Sequence, residues 1–357
     1  MKKKTIITVL ILFITIFLII FGIFNISKNI NLNNELEDTI VNKENETIEE
    51  KIDETENVEK NNFVSYNGWL RIENNILVNE NGEPFRLKGI STHGLQWYSK
   101  FANKEMMKSL KENLDINLFR IAMYTEENGY ISNYSLINKV EEIVEYAKEL
   151  DMYVIIDWHI LSDGDPLKHK EEAKIFFEKM SQKYKDYPNV IYEVCNEPNG
   201  NVTWEGNIKP YAEEVISVIR KNSKDSIIIV GTPTWSQEVD KPANNKINDK
   251  NTMYALHFYS ASHGEWLRER TTEALKIIPI FVSEWGVSDA SGNGIIDKEE
   301  SLRWVEFMNK NNLSYAIWSL SDKNESSALL IPGASINNFN DDNLSEAGKL
   351  IKDLINK

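Results

Sequence analysis

The sequence has 357 residues, 41% of them hydrophobic, and a formal net charge of −15. This length suits one large α/β barrel with added segments, and the composition allows a sizeable core. The acidity argues against a nucleic-acid partner, because phosphate binding requires clustered Lys and Arg. Cys195 is the one cysteine, so no intrachain disulfide can form and the fold does not depend on an oxidising compartment.

The N-terminal segment, residues 1–27, has the pattern of an export signal. Lys2, Lys3 and Lys4 precede an apolar run from Ile6 to about Phe24, and such lysines favour a cytoplasmic N-terminus. The run is longer than a signal-peptide core of roughly 7–15 residues and matches a membrane span of roughly 17–25 residues. We therefore predict a signal-anchor, with a cleaved signal peptide as the alternative. Both predict an extracytoplasmic location, either membrane-anchored at the cell surface or secreted.

Residues 28–62 differ in composition from the rest of the chain. They contain eleven acidic residues, four lysines, many asparagines and no aromatic residue. Such a segment cannot bury a core and repels itself, which predicts a disordered, flexible linker.

Residues 63–357 have the pattern of a single folded domain. Segments 69–73 and 76–78, followed by the Asn81-Gly82 turn, predict a small β-hairpin. Eight strand-like segments follow, mostly continuous apolar runs, as expected for strands covered on both faces. They are Leu87–Ile90, Asn117–Ala122, Tyr153–Asp157, Val190–Cys195, Ile227–Val230, Met253–His257, Ile280–Val282 and Tyr315–Trp318.

Helical patterns lie between these strands. The clearest are Leu136–Leu150, Lys174–Tyr184, Tyr211–Asn222 and Ser301–Asn309. In the first of them, Val140, Ile143, Val144 and Ala147 share one face. Eight strands alternating with helices predict a (β/α)8 TIM barrel, preceded by the hairpin, the linker and the membrane segment.

Two glutamates lie where a barrel of this kind has its active site, at the carboxyl ends of the strands. Glu197 follows the fourth predicted strand and Glu284 follows the seventh. Either alone could be a structural ion pair. Together, within Asn196-Glu197-Pro198 and Ser283-Glu284-Trp285-Gly286, they indicate the paired carboxyls of a retaining glycosidase, one acid/base and one nucleophile.

Histidines and an arginine accompany the two glutamates at the strand ends. His93, His159 and His257 can bind hydroxyls or tune carboxyl pKa values. Arg120 can donate to a carboxylate and keep it ionised, or form an ion pair inside the barrel. The sequence has no His-Glu-x-x-His motif and no histidine pair on one helix face, so we predict no metal and no cofactor.

Aromatic residues are also concentrated at the strand ends, where five of the nine tryptophans lie. We expect Trp97, Trp235 and Trp318 to contact sugar rings, and Trp158 and Trp285 to support the site from the core. Cys195 is expected to be a buried core residue. Residues 289–300 match a calcium-binding loop at several positions, but their flanks do not fit an EF-hand, and a polar loop over the cleft is the preferred interpretation.

At these residues the sequence resembles glycoside hydrolase family 5, in particular its bacterial endoglucanase (cellulase) branch. The resemblance covers roughly Trp69 to the C-terminus. Its motifs are Gly-Ile-Ser-Thr-His-Gly-Leu-Gln-Trp-Tyr (89–98), Arg-Ile-Ala-Met-Tyr-Thr (120–125), Ile-Asp-Trp-His (156–159), Tyr-Glu-Val-Cys-Asn-Glu-Pro (192–198), Gly-Thr-Pro-Thr-Trp-Ser-Gln (231–237), Ala-Leu-His-Phe-Tyr (255–259), Phe-Val-Ser-Glu-Trp-Gly (281–286) and Ile-Trp-Ser-Leu-Ser-Asp-Lys-Asn-Glu-Ser-Ser (317–327).

The resemblance implies a retaining endo-β-1,4-glucanase with Glu197 as acid/base and Glu284 as nucleophile. It implies supporting roles for Arg120, His159, Asn196, His257 and Tyr259, with Asn196 holding the 2-hydroxyl of the sugar. It implies substrate contacts for His93, Trp97, Tyr124, Trp235, Trp318, Lys323 and Glu325, with Trp235 on the leaving-group side.

Other functions are compatible with the same catalytic pair. β-Mannanase, mixed-linkage glucanase and xylanase activities differ from glucanase activity in the loops and not in the carboxylates. A more distant alternative is a non-catalytic glycan-binding surface protein. The expected partner is a β-glucan polysaccharide or oligosaccharide, with membrane contact through the N-terminal segment if that segment is not cleaved.

Overall fold

The computed structural model describes residues 63–355, and the predicted membrane segment (1–27) and linker (28–62) lie outside them. The strands are β1 (Arg71–Glu73), β2 (Ile76–Val78), β3 (Lys88–Thr92), β4 (Leu118–Tyr124), β5 (Tyr153–His159), β6 (Val190–Glu193), β7 (Ile228–Val230), β8 (Thr252–Tyr259), β9 (Ile280–Gly286) and β10 (Tyr315–Leu320). The α-helices are α1 (Phe63–Asn67), α2 (Leu95–Tyr98), α3 (Lys104–Leu114), α4 (Leu136–Glu149), α5 (Lys170–Lys183), α6 (Lys209–Asn222), α7 (Pro233–Ser236), α8 (Asp240–Asn244), α9 (Glu265–Leu275), α10 (Lys298–Lys310) and α11 (Glu346–Ile355). One π-helical turn covers Trp204–Ile208, and 3-10 turns cover Ser99–Phe101 and Asp341–Asn343.

Strands β3 to β10 form a closed barrel in which each strand pairs with its sequence neighbours and β10 pairs with β3. All these pairings are parallel. Every residue of β4, β5 and β9 is buried, because one face of each strand points into the barrel and the other is covered by helices. The predicted (β/α)8 barrel is confirmed.

Several strands continue beyond the predicted carboxyl ends. β5 reaches His159, β8 reaches Tyr259 and β9 reaches Gly286, since each still pairs with a neighbouring strand there. The fourth predicted strand is too long, because β6 ends at Glu193. Cys195 therefore lies just beyond β6 and not within it, although it is wholly buried as expected.

The helices carry the apolar faces that the sequence indicates. α4 buries Val140, Ile143, Val144 and Ala147. α5, α6 and α10 begin two to four residues earlier than predicted. Their first residues lie outside the apolar pattern from which the helices were predicted. For α10, the carboxylate of Asp297 accepts a hydrogen bond from the backbone N–H of Glu300 at 2.9 Å and caps the helix.

The amino end of the barrel is covered by the predicted hairpin. β1 and β2 pair in antiparallel fashion, and Asn74 and Asn75 turn the chain with φ values of 51° and 63°, a left-handed conformation that asparagine tolerates. Leu70 and Leu77 of this region join the apolar cluster inside the barrel. The hairpin thus excludes water from the end of the barrel opposite the strand carboxyl ends.

Among the helices of residues 63–355, none is both long enough and apolar enough to cross a membrane.

Candidate active site

A cleft of about 620 Å³ opens at the carboxyl ends of the barrel strands. Twelve of the fourteen predicted site residues line it: His93, Trp97, Tyr124, His159, Glu197, Trp235, His257, Tyr259, Glu284, Trp318, Lys323 and Glu325. The other two, Arg120 and Asn196, are wholly buried and contact the lining residues from below. The fold therefore brings the whole predicted set to one place.

The two carboxylates face each other within this cleft. An oxygen of Glu197 and an oxygen of Glu284 lie within 4.8 Å of one another. This spacing fits the roughly 5–5.5 Å of retaining glycosidases and is too short for the roughly 6.5–9.5 Å that inverting enzymes need for a water. Glu197 and Glu284 are 8% and 4% exposed, so both carboxylates work in a largely desolvated setting.

A bulge in β9 directs Glu284 into the barrel. Relative to β8, Ala255 pairs with Phe281 but His257 pairs with Glu284, so β9 contains one extra residue. β10 shows the same shift in its pairing with β9. Because side chains alternate along a strand, Phe281 and Glu284 would otherwise point to opposite faces. The bulge allows Phe281, Ser283 and Glu284 all to face the interior.

Glu284 is held by two donors. Tyr259 donates its hydroxyl to Oε1 at 2.7 Å, and Arg120 donates from Nη1 to Oε2 at 3.1 Å. Each oxygen of the carboxylate therefore has one fixed partner, which orients the group as an attacking nucleophile requires.

Arg120 is the centre of the charge network beneath the cleft. Its guanidinium donates to Glu193 at 2.7 Å and contacts Asp157 at 3.0 Å, in addition to Glu284. It also donates to Oδ1 of Asn196 at 2.7 Å. Burial alone would lower the pKa of Arg120, but the surrounding carboxylates raise it above its usual value. A fully charged guanidinium thus offsets the desolvation of the buried carboxylates.

Glu197 has different neighbours from Glu284. Its Oε1 lies 2.9 Å from Nδ1 of His257. Burial and the charge of Glu284 raise the pKa of Glu197 to about 6, although His257 opposes the shift. A carboxyl whose pKa is raised in this way can donate a proton near neutral pH, as a general acid must.

His159 is neutral in this site and has a defined tautomer. Its Nδ1 lies 2.6 Å from Oδ2 of Asp157, and its Nε2 lies 3.2 Å from Nδ2 of Asn196. Burial, followed by the charge of Arg120, lowers the pKa of His159 to about 3. Oδ2 of Asp157 faces the guanidinium of Arg120 at 3.0 Å and acts there as an acceptor, so it also accepts from Nδ1–H of His159. Nε2 of His159 then accepts from the amide of Asn196.

One end of the cleft combines aromatic rings with a charged pair. Trp97 is 44% exposed and lies edge-on to Tyr124, while Tyr124 stacks on His159 at 4.1 Å between ring centroids. Trp318 also stacks on His159, at 5.4 Å. Such rings present flat apolar faces to which the C–H face of a sugar can bind.

The charged pair at this end is Lys323 and Glu325, joined at 2.6 Å. Nε2 of His93 lies 3.5 Å from the ammonium and 3.7 Å from the carboxylate. Burial, followed by the charge of Lys323, lowers the pKa of His93 to about 3. Since Nδ1 of His93 accepts from the backbone of Gly94, the neutral ring presents Nε2–H towards the pair.

The other end of the cleft is formed by the loop after β7. Thr234, Trp235 and Ser236 have φ values of 57°, 53° and 57°, so Pro233–Ser236 is a left-handed turn more than a regular helix. The hydroxyl of Ser236 donates to the carbonyl of Asn196 at 2.7 Å. This bond ties the turn to the Asn196-Glu197 segment and leaves Trp235 44% exposed in the cleft.

Trp158 and Trp285 lie behind the site and are wholly buried. Trp285 stacks on Phe258 at 5.5 Å, and Trp158 packs against Phe176 at 5.4 Å. Both indoles face the helix layer, as expected of support residues, because each follows an inward-pointing residue on its strand.

The 289–300 loop lines the cleft through Ala290, Ser291 and Gly292. Its side chains at the ninth and twelfth positions of the calcium pattern are engaged elsewhere. Asp297 caps α10, and Glu300 pairs with Arg268 and Arg303. They do not converge on an ion, which agrees with the interpretation as a polar loop over the cleft.

Sequence reasoning did not assign several residues that the structure brings into the site. Glu193 and Asp157 contact Arg120. Each lies within or at the end of an apolar strand, and this position could have indicated a buried ion pair, because a buried carboxylate is costly unless it is paired. Ser283 gave no such signal. The cleft lining also includes four residues from the loops after the strands: Glu127, Leu161, Gln237 and His263.

The fold and this site define a barrel hydrolase of the glycosidase type. Residues 78–324 match the cellulase family, glycosyl hydrolase family 5. The chain belongs to this family.

Similar proteins carry endoglucanase names. The chain is 53% identical over 294 residues to endoglucanase 5 of Pectobacterium carotovorum subsp. carotovorum, covering 82% of this chain and 58% of the relative. It is 40% identical over 320 residues to endoglucanase A of Butyrivibrio fibrisolvens, covering 87% and 73%. The chain thus spans little more than half the length of the Pectobacterium protein.

Solved structures agree with the barrel. The catalytic domain of Thermobifida fusca endoglucanase Cel5A in complex with cellotetraose is 34% identical, with a TM-score of 0.79, covering 82% of this chain and 99% of that one. The catalytic domain of alkaline cellulase K is also 34% identical with a TM-score of 0.79, covering 82% and 94%.

Proposed function

We propose that the protein is a retaining endo-β-1,4-glucanase that cleaves internal bonds of cellulose or related β-glucans. The observation that supports this most is the pair Glu197 and Glu284, with oxygens within 4.8 Å inside a cleft that has aromatic residues at both ends. The endoglucanase names of its relatives favour β-1,4-glucan as the substrate.

The two chemical steps follow from the positions of the carboxylates. Glu284 attacks the anomeric carbon while Glu197 gives its proton to the glycosidic oxygen, so the fragment on the reducing-end side of the cleaved bond leaves as an alcohol. Water then attacks the covalent glycosyl-enzyme intermediate, gives a proton to Glu197 and releases Glu284 as a carboxylate. Arg120 and Tyr259 each donate a hydrogen bond to one oxygen of Glu284 and hold its carboxylate in a fixed orientation.

Substrate binding is assigned to the two ends of the cleft. Trp97, Lys323 and Glu325 would hold glucose units on the non-reducing side, and Trp235 would stack under the leaving side. Exposed tryptophans on both sides of the carboxylates favour binding in the middle of a chain, as internal cleavage requires.

The catalytic assignment is tested with E284Q on carboxymethylcellulose. Loss of reducing-sugar release is expected, because an amide cannot form the covalent intermediate. The exposed residue Glu306 provides a matched control, and E306Q should keep full activity. Unchanged activity of E284Q would disprove the assignment. A non-catalytic glycan-binding protein would bind the polymer and release no sugar even in the unsubstituted chain.

The substrate is tested with a panel of polysaccharides. Mannan, xylan and mixed-linkage glucan are compared with carboxymethylcellulose, and products are separated by size. A faster rate on mannan or xylan would replace glucanase with the corresponding activity while leaving the two-carboxylate chemistry in place.

We further propose that the enzyme acts outside the cytoplasm, anchored or released. The support is the sequence of residues 1–27, three lysines before a long apolar run. N-terminal sequencing of the mature protein distinguishes the two forms: an intact Met1 indicates an anchor, and a new N-terminus indicates cleavage.

A further inference from the structure

Behind Glu197, a chain of buried side chains leads away from the cleft. Nδ1 of His257 lies 2.9 Å from Oε1 of Glu197, and Nε2 of His257 lies 2.9 Å from the hydroxyl of Ser283. Ser283 donates to Oε1 of Glu193 at 2.7 Å. Ser283 and Glu193 are wholly buried and do not belong to the cleft lining. The chain thus joins one catalytic carboxylate to a second carboxylate that substrate does not reach.

The direction of each hydrogen bond in this chain is determined by Glu193. Oε2 of Glu193 accepts from Nε of Arg120 at 2.7 Å, and an ionised carboxylate can only accept. The single proton of the Ser283 hydroxyl is therefore committed to Oε1 of Glu193. The oxygen of Ser283 must then accept from Nε2–H of His257, which leaves Nδ1 of His257 opposite Glu197.

We propose that Glu193 and Ser283 are positioning residues that fix one proton on Nε2 of His257, so that Nδ1 of His257 shares the catalytic proton with Glu197. This inference rests on the function proposed above. In the first step the shared proton passes from Glu197 to the glycosidic oxygen. The bond between that oxygen and the anomeric carbon breaks, its electron pair stays on the oxygen, and Glu284 bonds to the carbon.

In the second step the proton is recovered from water. The oxygen of a water molecule bonds to the anomeric carbon, the bond to Glu284 breaks, and the proton released by the water returns to the pair formed by Glu197 and His257. The ring of His257 does not rotate between the steps, because Ser283 holds Nε2 throughout.

The charges that face His257 favour a proton on the pair. Carboxylates of Glu193, Glu197 and Glu284 attract it, whereas Arg120 opposes it. Burial lowers the pKa of His257, but its carboxylate neighbours Glu193, Glu197 and Glu284 raise it to about 9. The other titratable groups that interact with the imidazole are Asp157, whose pKa burial raises well above its usual value, and His159, whose pKa burial lowers to about 3.

At the far end of the chain, Glu193 stays ionised. Burial would raise its pKa, but Arg120 and His257 lower it to about 2. The pKa of Glu197 is about 6 and the pKa of His257 is about 9. Between these pH values the pair holds one proton, which can lie on Oε1 of Glu197 or on Nδ1 of His257. Removing the carboxylate of Glu193 would lower the upper value, so the basic limb of the activity profile would move to lower pH.

The test uses S283A and two aryl β-cellobiosides that differ only in the leaving group. Dinitrophenolate departs without protonation, whereas a phenolate of high pKa requires the acid. We expect kcat/KM of S283A to fall at least about 10-fold on the phenyl substrate and to stay within about 2-fold on the dinitrophenyl substrate. The basic limb of kcat/KM on the phenyl substrate should move to lower pH.

Ser260 provides a matched control. It is buried like Ser283, with 2% exposure against 0%, and its hydroxyl bonds to that of Ser301 at 2.6 Å and not to His257. S260A should leave both substrates and the pH profile unchanged. This variant separates the loss of any buried hydroxyl from the loss of this one.

E193Q gives a second, spectroscopic readout. The side-chain amide of this variant can accept from Arg120 through its oxygen and donate to Ser283 through its nitrogen. This reverses the direction of the hydrogen bonds: the Ser283 hydroxyl then donates to Nε2 of His257, and the imidazole proton lies on Nδ1. Nitrogen-15 chemical shifts of labelled His257, recorded above pH 9 where the ring is neutral, should therefore show Nε2–H in the unsubstituted protein and Nδ1–H in E193Q.

Two results would overturn the inference in an active enzyme. One is an equal loss by S283A on both aryl substrates with an unmoved basic limb, which a purely structural serine would give. The other is an unchanged tautomer in E193Q. Inactivity of the unsubstituted enzyme on both substrates would instead overturn the function proposed above.

Discussion

The two halves of the barrel interior use the same strands for opposite purposes. Towards the amino ends the interior is apolar, with Ile155, Ala255 and Phe281 in one cluster closed by the hairpin. Towards the carboxyl ends the same strands bury Arg120 and Glu284. Apolar burial stabilises the fold at about 25 cal/mol per Å², whereas buried charges are costly unless paired. Stability and catalysis are therefore located in different layers.

The largest expected effect comes from E284Q, in the upper layer. We expect kcat to fall on the order of 10⁴-fold or more, because the covalent intermediate cannot form. The free energy of unfolding should change by less than about 1 kcal/mol, since the amide oxygen still accepts a hydrogen bond at this position. Carboxymethylcellulose assays and guanidinium unfolding measure the two quantities. A large loss of stability would show that Glu284 contributes to the stability of the fold as well as to catalysis.

The counterpart in the lower layer is F281A, three residues earlier on β9. Phe281 is wholly buried in the apolar cluster, so truncation should reduce the free energy of unfolding by about 3–5 kcal/mol. Activity per folded molecule should stay within about 2-fold of the unsubstituted enzyme. Loss of activity at temperatures where F281A is fully folded would show that the layers are coupled.

The buried charges also predict how stability depends on pH. His257 has a folded pKa of about 9 against 6.5 when unfolded, so its stabilisation is complete below pH 6.5 and is lost as pH rises to 9. The loss should be about 3 kcal/mol. His93 and His159 have folded pKa values of about 3, so they reduce stability as pH falls below 6.5.

This pH dependence is assigned with H257Q. Guanidinium unfolding at a series of pH values should show the decline between pH 6.5 and 9 in the unsubstituted protein and its absence in H257Q. A decline of equal size in both proteins would assign it to groups other than His257.

The smallest expected effects lie at the rim of the cleft. Trp97 and Trp235 are each 44% exposed, so W97A and W235A should leave the free energy of unfolding nearly unchanged. Each should raise KM for cello-oligosaccharides by about 2- to 10-fold, the value of one stacking contact. If either variant lowered kcat without a change in KM, the tryptophan would act on Glu197 or Glu284 and not as a sugar platform.

Most of the architecture could be predicted from local patterns. The eight strands were recognisable because strands covered on both faces are continuous apolar runs. Their carboxyl ends were less well defined: β8 continues past the predicted end at His257 to Tyr259, and β9 continues past Val282 through Glu284 to Gly286. Polar residues at these ends stay in the strands because the closed barrel supplies neighbours and partners that a local pattern does not show.

The network beneath the cleft was only partly predictable. Arg120 was recognisable as a donor to a carboxylate, but nothing in one sequence shows that Asp157 and Glu193 share the same guanidinium. These residues come from β4, β5 and β6. They are in contact because their inward-facing positions lie at the same height along the barrel axis. That height is set by the stagger of the strands.

By itself the sequence indicated the family of the protein and the two glutamates proposed as its catalytic pair, because motifs at successive strand ends are local and specific. Only the tertiary structure decided that both carboxylates point into one cleft. Strict alternation from Phe281 would turn Glu284 towards the helices, and the extra residue in β9 returns it to the interior. A bulge is defined by pairing with β8 and β10, and pairing between strands distant in sequence is a property of the folded barrel.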